Sequence, residues 1–307
     1  MSATLRGGVI GAGVFGGHHA RKYASLPGTR LAAVHDPDLA RAEALAGPLG
    51  GRAIADLDAF LQAVDVVTVA SPATCHAGQA LAALRAGKPV YVEKPIGIAL
   101  GEADEIIAEA ERRGLVVAVG HQQRVVFQAM GLFDIPEQPL RLEALRHGPP
   151  SDRSLDVSVV LDLMVHDLDL ALSLSSAQPV TAEADGAIDF SGGWDAARAE
   201  VTFDDGFTAI FDASRRAEGF KRTMRIVYPS GEVEVDFLTH AFHNTTPYPL
   251  NPDYDDTPAA KDQLAASVEG FLRAVRGEAP RPIVTAAEGA RALDLALAVE
   301  QALEAGR

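Results

Sequence analysis

The hydrophobic pattern of this 307-residue chain changes period once, near residue 120. Before that point, short runs rich in Val, Ile and Leu recur at 5–10, 31–35, 65–70, 89–93 and 115–120, with segments of helical period between them. Continuous apolar strands alternating with helices predict a parallel sheet covered on both faces. The clearest helices are 74–86 and 102–113, the second ending at Gly114 where a C-terminal glycine cap belongs. Beyond 121 the segments 140–146, 180–190, 197–203, 208–214, 223–228 and 232–237 alternate apolar with polar, separated by Gly, Asp and Pro. That alternation predicts an antiparallel sheet with one exposed face. A helical stretch at 157–174 interrupts it. A Pro- and Asp-rich loop at 245–258 then leads to helices at 259–276 and from 285 onward. The expectation is an α/β protein with two domains: a doubly wound parallel sheet over 1–120 and a mostly antiparallel α+β domain over 121–307. The last helix, about 285–306, is expected to pack back on the first domain.

The first strand runs directly into Gly11-Ala12-Gly13-Val14-Phe15-Gly16, and 14–25 can be helical. A G-x-G-x-x-G between a strand and a helix is the dinucleotide arrangement. Its first glycine turns the chain, its second admits a pyrophosphate, and its third lets the helix pack close. The second strand delivers Asp36 about twenty residues past Gly16, where such a fold places the carboxylate that holds the adenosine ribose. Neither Pro37 nor Asp38 offers a cation for a 2′-phosphate, so NAD is the expected cofactor. The remaining composition narrows the field. A net charge of −15 argues against nucleic acid, a single cysteine (Cys75) against an internal disulfide, and no apolar stretch reaches membrane-spanning length. A cytoplasmic protein without a metal site is expected.

Candidate chemistry gathers at strand ends, where doubly wound sheets bind ligands. The 65–70 strand ends in Ser71-Pro72, with His76 shortly after, and these residues can lie along the dinucleotide. The 89–93 strand ends in Glu93-Lys94-Pro95. A lysine fixed there can donate a hydrogen bond or proton to a substrate oxygen. On the 157–174 helix the period puts Asp162, His166 and Asp169 on one face, and a carboxylate one turn from a histidine makes a general-base arrangement. A solvated acidic face is the plain alternative.

Taken together, these motifs resemble the glucose-fructose oxidoreductase and inositol dehydrogenase (Gfo/Idh/MocA) family nearly end to end. They comprise the glycine run, Asp36, Ser71-Pro72 to His76, Glu93-Lys94-Pro95, Val119-Gly120-His121 with Arg124 after it, and the Asp162 to Asp169 helix. The resemblance implies an NAD enzyme in which Lys94 and His166 serve substrate binding and proton transfer with Asp162 beside them. The cofactor would then lie on Gly11, Gly13, Val14, Phe15, Gly16, Asp36, Ser71, Pro72, His76, Glu93 and Lys94. His121 and Arg124 are candidate substrate contacts. The resemblance further implies a homo-oligomer, dimer or tetramer, joined through the open sheet. Val125-Val126-Phe127 and Val159-Val160 depart from the family's usual residues at those points, which bears on the substrate. A finer likeness is to the UDP-N-acetylglucosamine 3-dehydrogenases and related nucleotide-sugar oxidoreductases, with Arg146, His147 and Arg153 as candidates for a diphosphate. A free-sugar or inositol dehydrogenase, or a non-enzymatic NAD-sensing regulator, are the alternatives.

Overall fold

The computed structural model describes residues 4–151 and 155–307, and the chain forms two compact units. The first runs through β1 (Leu5–Ile10), α1 (Val14–Ser25), β2 (Thr29–His35), α2 (Leu39–Ala46), β3 (Arg52–Ala53), α3 (Leu57–Ala63), β4 (Val66–Val69), α4 (His76–Arg85), β5 (Val90–Val92), α5 (Leu100–Arg113) and β6 (Val117–Val119). Its six strands are ordered β3-β2-β1-β4-β5-β6, and every pairing is parallel. The order reverses direction at β1 and β4, so the ends of these strands flank the crevice in which such sheets bind ligands. Gly114 is left-handed (φ 63°) and ends α5 as its sequence foretold.

The second unit contains α6 (Gln123–Met130), β7 (Arg141–His147), a π-helical turn (Val160–Met164), α7 (Val165–Leu174), β8 (Pro179–Ile188), β9 (Trp194–Phe203), β10 (Thr208–Ser214), β11 (Lys221–Tyr228), β12 (Gly231–Asp236), β13 (Phe242–Asn244) and α8 (Pro258–Lys261). Its seven strands are ordered β13-β12-β11-β7-β10-β9-β8. All pairings are antiparallel except β7 with β10, which run parallel. Burial alternates along β7, β9, β10 and β11, so one face of this sheet is covered and the other open, as the period-2 pattern requires.

The chain passes from the first unit to the second between Gln122 and Gln123, beside the boundary expected near residue 121, and later returns. Asp262–Ala290, carrying α9 (Gln263–Val275), belongs to the first unit, and Arg291–Arg307 to the second, so α10 (Ala286–Ala305) contributes to both. The reason for the first return is burial. Val268, Phe271 and Leu272 of α9 join Val9, Tyr23, Leu31 and Tyr91 in one apolar cluster, and Phe271 meets Tyr91 edge-on at 5.9 Å. Each such side chain stabilises by roughly 1.5–3 kcal/mol when removed from water. The Tyr91 hydroxyl is satisfied by Ser267 at 2.9 Å.

Candidate active site

At the end of β1 the chain turns through Gly11 with φ 99°, a conformation that favours glycine. A Cβ on Gly16 would overlap the Gly11 carbonyl oxygen, so α1 can approach only because residue 16 is glycine. Gly13 differs. It is the N-cap of α1, and a Cβ there would meet no protein atom within 4 Å. Space left at a helix N-terminus, with the amides uncovered, fits a pyrophosphate. Val14 and Phe15 stand beside it largely exposed. Asp36 is buried at the end of β2, and its carboxylate accepts the Ala12 amide at 2.7 Å and the Asp38 amide at 2.9 Å. Two main-chain donors therefore aim the carboxylate before any ribose arrives. These residues fit NAD, which when bound supplies an acceptor for hydride.

Glu93 and Lys94 follow β5. Glu93 is buried, and its Oε1 meets His19 Nε2 of α1 at 2.7 Å and accepts from Gln122 Nε2 at 2.8 Å. Burial alone would push the Glu93 carboxyl up, but the His19 hydrogen bond and the charges of His19 and Lys94 outweigh it and hold the group below the usual carboxylate range. The strand end that presents Lys94 is thereby tied to the cofactor helix. Lys94 itself is half-buried, followed by a cis peptide to Pro95. His121 is buried beyond β6. Ser71 Oγ donates to Gln79 at 2.6 Å. His76, expected along the cofactor, has its ring buried between the carbonyl oxygens of Pro95 (2.7 Å) and Ser71 (2.9 Å), which ties the Ser71 loop to the Pro95 segment.

In the second unit, Asp162 sits in the π-helical turn and His166 in the first turn of α7, both half-buried. The π-turn spans Val160–Met164, so it shifts the register of Asp162 relative to His166 and Asp169, the two residues expected to share its face, and Asp169 forms a buried ion pair with Arg124. Arg124 donates to it through Nε at 2.9 Å and Nη2 at 2.6 Å, so those two donors are engaged by protein. Arg146 is likewise buried, donating to Asp167 at 2.8 and 2.7 Å and to Gln123 at 2.6 Å. His147 points to the opposite, open face and meets Asp212 at 2.8 Å, because successive strand residues alternate sides. The expected pairing of Arg146 with His147 on one diphosphate is thus corrected, and Arg153 lies outside the described residues.

Sequence reasoning missed the groups that hold Asp162 in place. Arg215, buried just past β10, reaches within 3.9 Å of Asp162, donates to the Val157 carbonyl at 2.8 Å, and is paired with the fully buried Asp195 at 3.5 Å. Asp195 also accepts the amides of Asp189, Phe190 and Ser191 at 2.8, 2.9 and 3.2 Å. His19 was missed as well, although it stands three residues after Gly16, on the side of α1 that faces the sheet. Among the described residues, no group of three or more His, Cys, Asp or Glu side chains could hold a metal ion, and no helix is long and apolar enough to cross a membrane.

Comparison with known proteins agrees with this geometry. Residues 5–121 match the oxidoreductase family with an NAD-binding Rossmann fold, and residues 140–234 match the GFO/IDH/MocA C-terminal domain. The UDP-N-acetylglucosamine 3-dehydrogenase of Acidithiobacillus ferrooxidans is 38% identical over 98% of this chain and 98% of its own. A solved structure of that protein, GnnA, superposes with a TM-score of 0.91 at 37% identity, covering 99% of each chain. The myo-inositol 2-dehydrogenase of Thermotoga maritima is 25% identical over 99% of this chain and 97% of its own.

Proposed function

The chain belongs to the GFO/IDH/MocA family of NAD-binding oxidoreductases, and from that premise we propose that it oxidises the C3 hydroxyl of a UDP-linked N-acetylhexosamine. The observation that carries this reading is the full-length likeness, at 38% identity, to a UDP-N-acetylglucosamine 3-dehydrogenase; the myo-inositol relative stands at 25%. The residues support it. Gly13, the N-terminus of α1 and Asp36 would hold NAD by pyrophosphate and ribose. His166 takes the proton from the substrate hydroxyl, and Lys94 hydrogen-bonds the oxygen and stabilises its developing charge. Asp162, paired with Arg215, orients the imidazole. His121 is assigned to substrate contact. A base that must receive a proton needs a fixed direction more than great basicity, and the Asp195–Arg215–Asp162 chain supplies one.

The experiment is direct. Protein incubated with NAD and UDP-N-acetylglucosamine should generate NADH absorbance and a 3-keto sugar nucleotide by mass spectrometry, whereas myo-inositol and glucose should give little. Brisk oxidation of the free polyols with none of the UDP-sugar would sink the reading. Lys94→Ala and His166→Ala should each lower turnover by about 10²–10⁴-fold at saturating substrate, with NAD affinity little changed. Near-normal turnover in either variant removes that residue from the chemistry.

A further inference from the structure

Beneath the covered face of the second sheet, positive charge exceeds negative charge at one place. Arg222 on β11 stands opposite Arg146 on β7 in the antiparallel register, both on the covered side. The carboxylate that acts on both is Asp167, each of whose oxygens already accepts a hydrogen bond from Arg146, whose Nη2 also donates to Gln123. Arg222 forms no ion pair among the described residues. Its Nε is sealed from solvent without a hydrogen-bond partner. Two guanidinium groups thus share one carboxylate in a half-dry site, in a chain whose net charge of −15 leaves no shortage of acids to place there. Burial and the neighbouring Arg146 both disfavour the Arg222 charge, and Asp167 offsets them only in part. A buried cation kept without its own counterion is costly, and it is tolerated where a ligand completes the pair. The location agrees, since Asp167 directly follows His166 on α7.

We propose that Arg222, backed by the Arg146–Asp167 pair, is an oxyanion-binding subsite that receives a diphosphate or a carboxylate of its ligand. The planar fork of Arg222 offers parallel donors of the geometry that phosphate and carboxylate oxygens accept. Nε and Nη2 of Arg146 already donate to Asp167 and Gln123, and its charge deepens the local potential. The identity of the ligand as part of a nucleotide sugar rests on the dehydrogenase reading above; the existence of the subsite does not.

The test uses the NAD-bound protein and two probes, UDP for the diphosphate and glucuronate for the carboxylate, titrated calorimetrically at several salt concentrations. One probe should bind the wild type, and Arg222→Met should weaken that probe by about tenfold or more and reduce its salt dependence. Arg222→Lys should fall between them. Which probe responds tells which oxyanion is held. Because Arg222 gives up no internal ion pair, Arg222→Met should melt at or above the wild-type temperature. Equal affinity of both probes for wild type and Arg222→Met overturns the proposal. So does failure of both probes to bind the wild type, or a melting temperature lowered in Arg222→Met and restored in Arg222→Lys. Arg222-dependent UDP binding without NADH formation from UDP-N-acetylglucosamine would instead count against the dehydrogenase reading and leave the subsite standing.

Discussion

The two units orient their chemical groups by different means. In the first, main chain does most of the aiming: amides of Ala12 and Asp38 fix Asp36, carbonyls of Ser71 and Pro95 fix His76, and a helix N-terminus faces the space at Gly13. In the second, side chains from distant strands do it: Arg124 with Asp169, Arg146 with Asp167, and Asp195 with Arg215 behind Asp162. Main-chain donors belong to the turn that carries them and cannot be lost without losing the turn. A buried ion pair is a separate commitment, in which the desolvation of each partner depends on the other being present. The first kind of site is robust to changes elsewhere, and the second is brittle.

The sharpest break of this contrast comes from the ion pairs. Arg124→Ala, which removes the guanidinium from its buried ion pair with Asp169, should destabilise the second unit by about 3–5 kcal/mol in urea unfolding, whereas a combined Arg124→Met, Asp169→Leu replacement should recover most of that loss. An Arg124→Ala protein as stable as the wild type would remove the brittleness argument. In the first unit the glycines should separate fold from ligand. Gly16→Ala should lower stability, because its Cβ overlaps the Gly11 carbonyl, while Gly13→Ala should melt like the wild type yet bind NADH at least about tenfold more weakly by fluorescence titration. Equal NADH affinity in Gly13→Ala would mean the open space is not where the pyrophosphate lies. A smaller effect is expected at Asp36, whose replacement by Ala should shrink the preference for NADH over NADPH by about tenfold, measured as a ratio of dissociation constants. The smallest concerns acid. The Glu93 carboxyl ionises more readily in the fold than in the unfolded chain, so its contribution is present above about pH 4.3 and is lost as the pH falls through its lower folded value. Urea midpoints should therefore drop on acidification in the wild type, with that part of the slope reduced in Glu93→Gln; identical slopes would show that the His19 pair does not link to folding.

The same contrast explains what could be read from sequence. Gly11, Gly13, Gly16 and Asp36 are legible because a tight turn, a close approach and a strand end each demand a residue type at a local spacing. The strand at 208–214 was legible for the same reason, its period being local. α2 and α3 left signals that were passed over: Asp38 and Asp56 each cap a helix by accepting the amide three residues on. The parallel pairing of β7 with β10, the π-turn under Asp162, and the partners Asp195, Arg215 and Arg222 left none, because each depends on which strands become neighbours. Arg146 and His147 show the cost of reading cations by proximity in sequence, since one faces the covered side of the sheet and the other the open side.

The place of α9 in the chain has a consequence for synthesis. All six strands of the first sheet have been made once Val119 is joined, yet Val268, Phe271 and Leu272, which close the cluster around Tyr23 and Tyr91, come some 150 residues later. At ribosomal speeds of about 5–20 residues per second, the nascent sheet waits roughly eight to thirty seconds with that apolar surface uncovered while the second unit emerges. The order of the genetic message therefore makes the NAD-binding half the first to start and among the last to finish.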